Sequence, residues 1–159
     1  MGRKNRRMKI HAKRLPTVWE IQRDAPRANI CPRRLEIWYA HLPMRYGSRI
    51  QGGTRPVLII SNDIVNAHSG AVTVLPLTSQ IKKLFMPTHV LLAEGTHEME
   101  KSSVVLAEQI TTVDKRILEK RIGELTDPAA IRKVEDAVRE QLSINNQEKE
   151  NIENENHHL

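Results

Sequence analysis

The stretch that most constrains the fold runs from residue 51 to residue 80. It carries two apolar runs, Val57-Leu58-Ile59-Ile60 and Ala71-Val72-Thr73-Val74-Leu75-Pro76-Leu77, separated by a polar link. Each is about as long as a strand and rich in branched side chains, the pattern of strands buried in a sheet. Asn62-Asp63 and a turn over Asn66–Gly70 predict a hairpin or meander between strands at 56–61 and 71–77. Gly52-Gly53 precedes the first run, and glycines allow a positive φ or a close backbone approach. Arg55 follows where the chain enters a buried strand, so it is expected to be held in place. The second run ends in Thr78-Ser79-Gln80, and antiparallel pairing would bring that end towards Arg55. A cation facing hydroxyls suits an anionic ligand.

The rest of the chain extends the sheet. Leu35–Leu42 reads as a strand ended by Pro43, Thr88–Leu92 as another, and Ser103–Ala107 with Gln109–Val113 as one bent strand. A helical turn over Asp114–Leu118 and a last strand at Lys120–Leu125 bring the total to about six strands. Thr126 or Asp127 caps a C-terminal helix with Pro128 in its first turn, and Ile131, Val134, Val138 and Leu142 give it one apolar face. The fold class expected is mainly β, with one C-terminal helix and short helical turns. A long loop over 43–54 leads directly to Arg55, and long loops in compact domains often carry function.

Charge is unevenly spread. The 159 residues have a formal net charge of +6, but residues 1–34 hold 11 Lys+Arg against 2 Asp+Glu, residues 35–147 hold 13 against 13, and residues 148–159 hold 1 against 4. The excess is N-terminal, which predicts a basic arm that is either simply solvated or adds salt-sensitive affinity for nucleic-acid phosphates. The organisation expected is a basic extension over 1–32 with a short helix near Thr17–Arg23, a folded domain over 33–144, and a disordered polar tail over 145–159. A single cysteine, Cys31, excludes an intrachain disulfide, and no Cys/His spacing suggests a metal. With no apolar run near the roughly 18 residues of a membrane span, a soluble cytoplasmic protein without cofactor or metal is expected.

Four motifs in order then carry a resemblance. Gln51-Gly52-Gly53-Thr54-Arg55-Pro56 through Asp63, Leu75-Pro76-Leu77-Thr78-Ser79-Gln80, Pro87-Thr88-His89-Val90, and Leu106-Ala107-Glu108-Gln109-Ile110-Thr111 through Lys115 resemble the successive motifs of the MazF/PemK toxin family over about residues 33–142. The resemblance implies an SH3-like β-barrel of the MazF/PemK/CcdB type, a homodimer, and a metal-independent endoribonuclease that cuts single-stranded RNA and is inhibited by a cognate antitoxin. It implies Arg55 and Thr78 as the catalytic pair for attack of a ribose 2′-OH on the adjacent phosphate, giving a 2′,3′-cyclic phosphate and a 5′-OH. The loop Gly47-Ser48-Arg49-Ile50-Gln51-Gly52-Gly53 departs from the common family pattern: it is one residue longer, lacks the usual glutamate and adds Arg49. Gln51, Gly52, Gly53, Arg49, Gln80 and Gln109 are candidate RNA contacts, since amides can read base edges and Arg49 can meet phosphate.

Other readings stay open at this point. On spacing alone Arg55 closes its loop on a backbone carbonyl and Thr78 merely ends a strand. Glu108 either contacts RNA beside Gln109 or only turns the chain. His68 with His89 would make a conventional acid–base pair, although His89 sits in a strand pattern that favours packing. Of Trp38 and Tyr39, only the exposed member could stack a base. The same barrel could instead serve a noncatalytic inhibitor of a protein target such as gyrase, or an RNA-binding module.

Overall fold

The computed structural model describes residues 30–44 and 46–144; the arm over 1–29, with the helix expected near Thr17–Arg23, and the tail over 145–159 lie outside the described residues. The elements in order are β1 (Glu36–Leu42), β2 (Gly53–Ile59), α1 (Asp63–His68), β3 (Ala71–Thr78), β4 (His89–Leu92), β5 (Ser103–Leu106), β6 (Thr111–Asp114), β7 (Leu118–Glu124) and α2 (Pro128–Leu142). Single 3₁₀ turns at Ala107–Gln109 and Lys115–Ile117 join β5 to β6 and β6 to β7. All pairings are antiparallel, in the order β4-β5-β3-β2-β1-β7, with β6 also on β3.

The central strand is β3, and its sequence explains how it serves three partners. One edge pairs with β2 over Val74–Pro76; the other pairs with β6 over Ala71–Val74 and then with β5 over Leu77–Thr78. The Thr73 carbonyl accepts from the Ile60 N–H at 2.9 Å, so alternate residues turn their backbone to the opposite edge. Pro76, which has no N–H to give, therefore faces the gap between β6 and β5, where no donor is needed.

Alternation along β2 and β3 feeds two cores. Leu58, Leu75 and Leu77 pack with Ile37, Val105, Val134 and Ala137, joining the sheet to α2. Val57, Ile59, Val72 and Val74 pack with Ala40, Val113, Ile117 and Leu118 on the other side. Val57, Leu58 and Ile59 are each fully buried. At roughly 1.5–3 kcal/mol for each such side chain, β2 is firmly anchored just after Arg55.

Several boundaries differ from the sequence reading. Among the described residues seven strands form instead of about six, because the bent strand breaks at Ala107–Gln109 and its halves take opposite ends of β3. The expected turn over Asn66–Gly70 begins as helix α1: the Asn62 side chain accepts from the Val65 N–H at 2.9 Å. Asn66 is buried because its amide donates to the Ser61 carbonyl at 3.0 Å while its oxygen accepts from the Ser61 hydroxyl at 2.6 Å. Asp127 is the cap of α2, accepting from the Ala129 and Ala130 N–H groups, bonds that hold its carboxyl below the usual carboxylate range. Val134 on α2 is buried, Ile131 and Val138 pack partly, and Leu142 is exposed. Arg34, counted with the N-terminal charge excess of residues 1–34, is structural: it donates to the Ile60 carbonyl and to Glu135 at 3.0 Å.

Candidate active site

Each glycine before β2 has its own reason. A Cβ on Gly52 would sit 2.8 Å from the Pro43 carbonyl oxygen, and Gly53 has φ +77. The pair lets the loop fold back against Pro43 and Met44 before the chain turns into β2. From there Arg55 points back into its own loop. Its Nε donates to the Gly52 carbonyl at 2.9 Å, its Nη2 reaches the same oxygen, and its Nη1 donates to Gln51 Oε1. Two of the five guanidinium N–H groups are left without a partner among the described residues. Burial lowers the Arg55 pKa from its ordinary value, and neither acceptor is charged.

The register sets what faces Arg55. Val57 pairs with Pro76 and Ile59 with Val74; continuing by two residues puts Arg55 opposite Thr78 at the neighbouring strand end. Both line a cleft of about 710 Å³, together with Gln51, Gln80, Tyr39 and Glu100. Thr78 Oγ1 accepts from the Gln80 N–H at 3.2 Å, which leaves its hydroxyl hydrogen for another acceptor.

The candidate residues do not all share this wall. Arg49 is exposed on the loop, and Gly52 and Gly53 are half-buried behind Arg55. Gln109 is spent on the loop backbone: its Oε1 accepts from the Gln51 N–H at 2.7 Å and its Nε2 donates to the Arg49 carbonyl at 3.4 Å. His89 meets Glu108 at 3.1 Å through Nε2 and the Lys82 carbonyl at 3.3 Å through Nδ1, so its ring is committed to neighbours other than His68. Of the aromatic pair, Tyr39 is the exposed member and lines the cleft, whereas Trp38 packs on the core.

Sequence reasoning missed the opposite wall. Glu98, Glu100 and Lys101 enter from the loop after β4, and Lys120 and Arg121 from β7. Arg121 is ringed by carboxylates: Glu124 at 2.9 Å, Glu98 at 3.1 Å and Glu36 at 3.3 Å. Hydrogen bonding to Glu124 leads the effects that raise its pKa. Glu100 has no ion pair or side-chain hydrogen bond among the described residues. The only local signal for this wall is the charged turn over Glu94–Lys101.

Fold and cleft together define a small antiparallel β protein with one cation and hydroxyls at the neighbouring ends of β2 and β3, a setting suited to an anionic ligand. Residues 33–142 match the family described as PemK-like, MazF-like toxin of type II toxin-antitoxin system, and the chain belongs to that family. It is 40% identical over 112 residues to Endoribonuclease EndoA of Bacillus subtilis (strain 168), covering 70% of this chain and 95% of that protein. Among solved structures it resembles MazF from Deinococcus radiodurans at TM-score 0.59 and 25% identity, covering 72% of this chain and 99% of that one. It likewise resembles an endoribonuclease from a mycobacterial species in complex with its cognate antitoxin, at TM-score 0.55 and 27% identity, covering 72% and 96%. The seven-stranded antiparallel sheet with its C-terminal helix is thus the barrel-like fold of the MazF toxins.

Proposed function

We propose that the protein is a toxin-type endoribonuclease that cleaves single-stranded RNA in the Arg55–Thr78 cleft and is inhibited by a cognate antitoxin, with a homodimer as the working unit. The observation that carries this reading is the Arg55–Thr78 juxtaposition, a half-buried guanidinium with no counter-charge among the described residues beside a hydroxyl whose hydrogen is available to an acceptor. The 2′-OH oxygen attacks the neighbouring phosphorus and loses its proton. The P–O5′ bond breaks, and the 5′ oxygen leaves with a proton, giving a 2′,3′-cyclic phosphate and a 5′-OH. The two spare N–H groups of Arg55 meet the charge that grows on the nonbridging oxygens, and the Thr78 hydroxyl donates to one of them. Partial desolvation strengthens these interactions relative to water.

Arg55 stays charged and is a poor base, so a carboxylate is the better proton acceptor. Glu98 is engaged by Arg121, which leaves Glu100 for that role. Tyr39 offers a ring for stacking a base, Gln51 and Gln80 line the cleft, and the exposed Arg49 would add a cation for the strand's phosphates. The relatives named as endoribonucleases, one of them bound to an antitoxin, support the reaction class and the partner.

The test is cleavage of a single-stranded RNA pool in EDTA, with end chemistry read by sequencing. Cyclic-phosphate and 5′-OH ends from the wild type are expected, lost in Arg55→Ala and Thr78→Ala and strongly reduced in Glu100→Gln. Cleavage undiminished in Arg55→Ala would sink the assignment.

A further inference from the structure

Gln109 is the last residue of the 3₁₀ turn between β5 and β6, far in sequence from the loop before β2, yet its carboxamide joins that loop at two points. The oxygen accepts from the Gln51 N–H at 2.7 Å, and the nitrogen donates to the Arg49 carbonyl at 3.4 Å. Gln51 then passes the restraint on, because its side-chain oxygen accepts from Arg55 Nη1, while the next carbonyl, Gly52, accepts from Nε and Nη2. Among the described residues, every hydrogen bond of the Arg55 guanidinium ends on residues 51 and 52. Whatever orders those two residues therefore orders the guanidinium.

The turn that carries Gln109 is itself fastened. The Ala107 N–H donates to the Thr88 carbonyl at 3.0 Å, and the Ile110 N–H closes the turn on the Ala107 carbonyl at 3.2 Å. Ala107 is fully buried in the core shared with α2. Glu108 holds His89 at 3.1 Å, and the His89 side chain is only 8% exposed. A rigid post thus stands beside a loop whose tip, with Tyr46 fully exposed and Ile50 mostly so, has little packing of its own.

We propose that Gln109 is a positioning residue whose carboxamide splints the β1–β2 loop and so presets the Arg55 fork before RNA arrives. The proposal rests on the reading that Arg55 meets the reacting phosphate. It differs from base reading by Gln109, since the same oxygen and nitrogen cannot grip the loop and a base edge together in this geometry. Catalysis by fixed donors depends on their orientation being set in advance, so a slackened loop lowers the turnover rate more than it weakens RNA binding. The splint also needs an amide: glutamate keeps the acceptor for Gln51 but loses the donor to Arg49, and alanine loses both.

The test uses the full chain in two measurements. Without RNA, amide hydrogen exchange of Gln51 should quicken about fivefold in Gln109→Ala, as expected for loss of one hydrogen bond of about 1 kcal/mol, and less in Gln109→Glu, with β3 amides unchanged. In cleavage, Gln109→Ala should lower kcat about tenfold with KM within about twofold, and should cause no further loss on top of Arg55→Ala. A raised KM with unchanged kcat and unchanged Gln51 exchange would overturn the proposal and make Gln109 an RNA contact. Full cleavage by Arg55→Ala would instead remove the catalytic reading, while Gln51 exchange would still report whether Gln109 holds the loop.

Discussion

Arg55 and Arg121 stand on the same cleft and are held in opposite ways. Arg121, on the β7 wall, is surrounded by Glu36, Glu98 and Glu124, and hydrogen bonding and charge attraction raise its pKa. Arg55, at the start of β2, has among the described residues the neutral oxygens of Gly52 and Gln51 as partners, and burial lowers its pKa. One charge is paired with carboxylates; the other meets neutral oxygens among the described residues. An unpaired, partly desolvated cation detracts from stability unless a ligand supplies the missing charge, which is why such groups mark functional sites. On the proposed reading, this difference would let one cleft hold several cations and still direct a phosphate to one of them.

The sharpest way to break this contrast is Arg55→Lys. Lysine keeps the charge but loses the fork that serves Gly52, Gln51 and a phosphate together. If a general positive field sufficed, most activity would survive. The expectation is a fall in kcat of roughly 10²–10³, the cost of removing a preorganised donor, with thermal stability unchanged. Single-turnover cleavage and a melting curve measure the two quantities on the same preparation.

Next in size is Gly123→Ala, which attacks the opposite wall. A Cβ at Gly123 would lie 2.2 Å from the His97 carbonyl oxygen, a backbone atom that cannot yield without moving the loop. His97 and Glu98 have φ of 55 and 61, so that loop is already held in the left-handed region. The substitution should destabilise by about 1–3 kcal/mol, the usual range for overpacking, and detach Glu98 from Arg121. Calorimetry is the check; an unchanged melting temperature would mean that the loop is not seated on β7 as described.

How much of this was legible in the sequence follows from the range of each interaction. Arg55 and Thr78 could be paired because one precedes and the other follows an apolar run, and antiparallel pairing of the two runs fixes their relation, while the ordered motifs named the chemistry. The Ala107–Gln109 turn was legible only as a bend, since Ala107-Glu108-Gln109 interrupts the strand-forming residues on either side but does not say that the two halves take different stretches of β3. Asn66 carries the composition of a turn but is buried because Ser61 satisfies its amide, a match no local pattern reveals. The β7 wall depends on Glu36, Glu98 and Arg121 meeting across long stretches of chain, and long-range ion pairs leave no spacing to read.

The smallest effect, and the finest test of the contrast, is Arg121→Gln. Three carboxylates around one arginine look substantial, but Arg121 is 35% exposed and Glu98 62%, and exposed pairs contribute only about 0.2–1 kcal/mol each. Glu36, at 12% exposure, is the partner that loses most, and it keeps the N–H groups of Arg33 and of the Trp38 ring, both at 2.9 Å. A stability loss near 1 kcal/mol, shrinking as salt is added, is therefore expected. For cleavage the expectation is a KM change within about threefold and an unchanged kcat, because a charge already neutralised contributes little to phosphate binding. A kcat loss comparable to that of Arg55→Lys would show that the carboxylate ring releases Arg121 to the substrate, and the division of labour between the two walls would have to be redrawn.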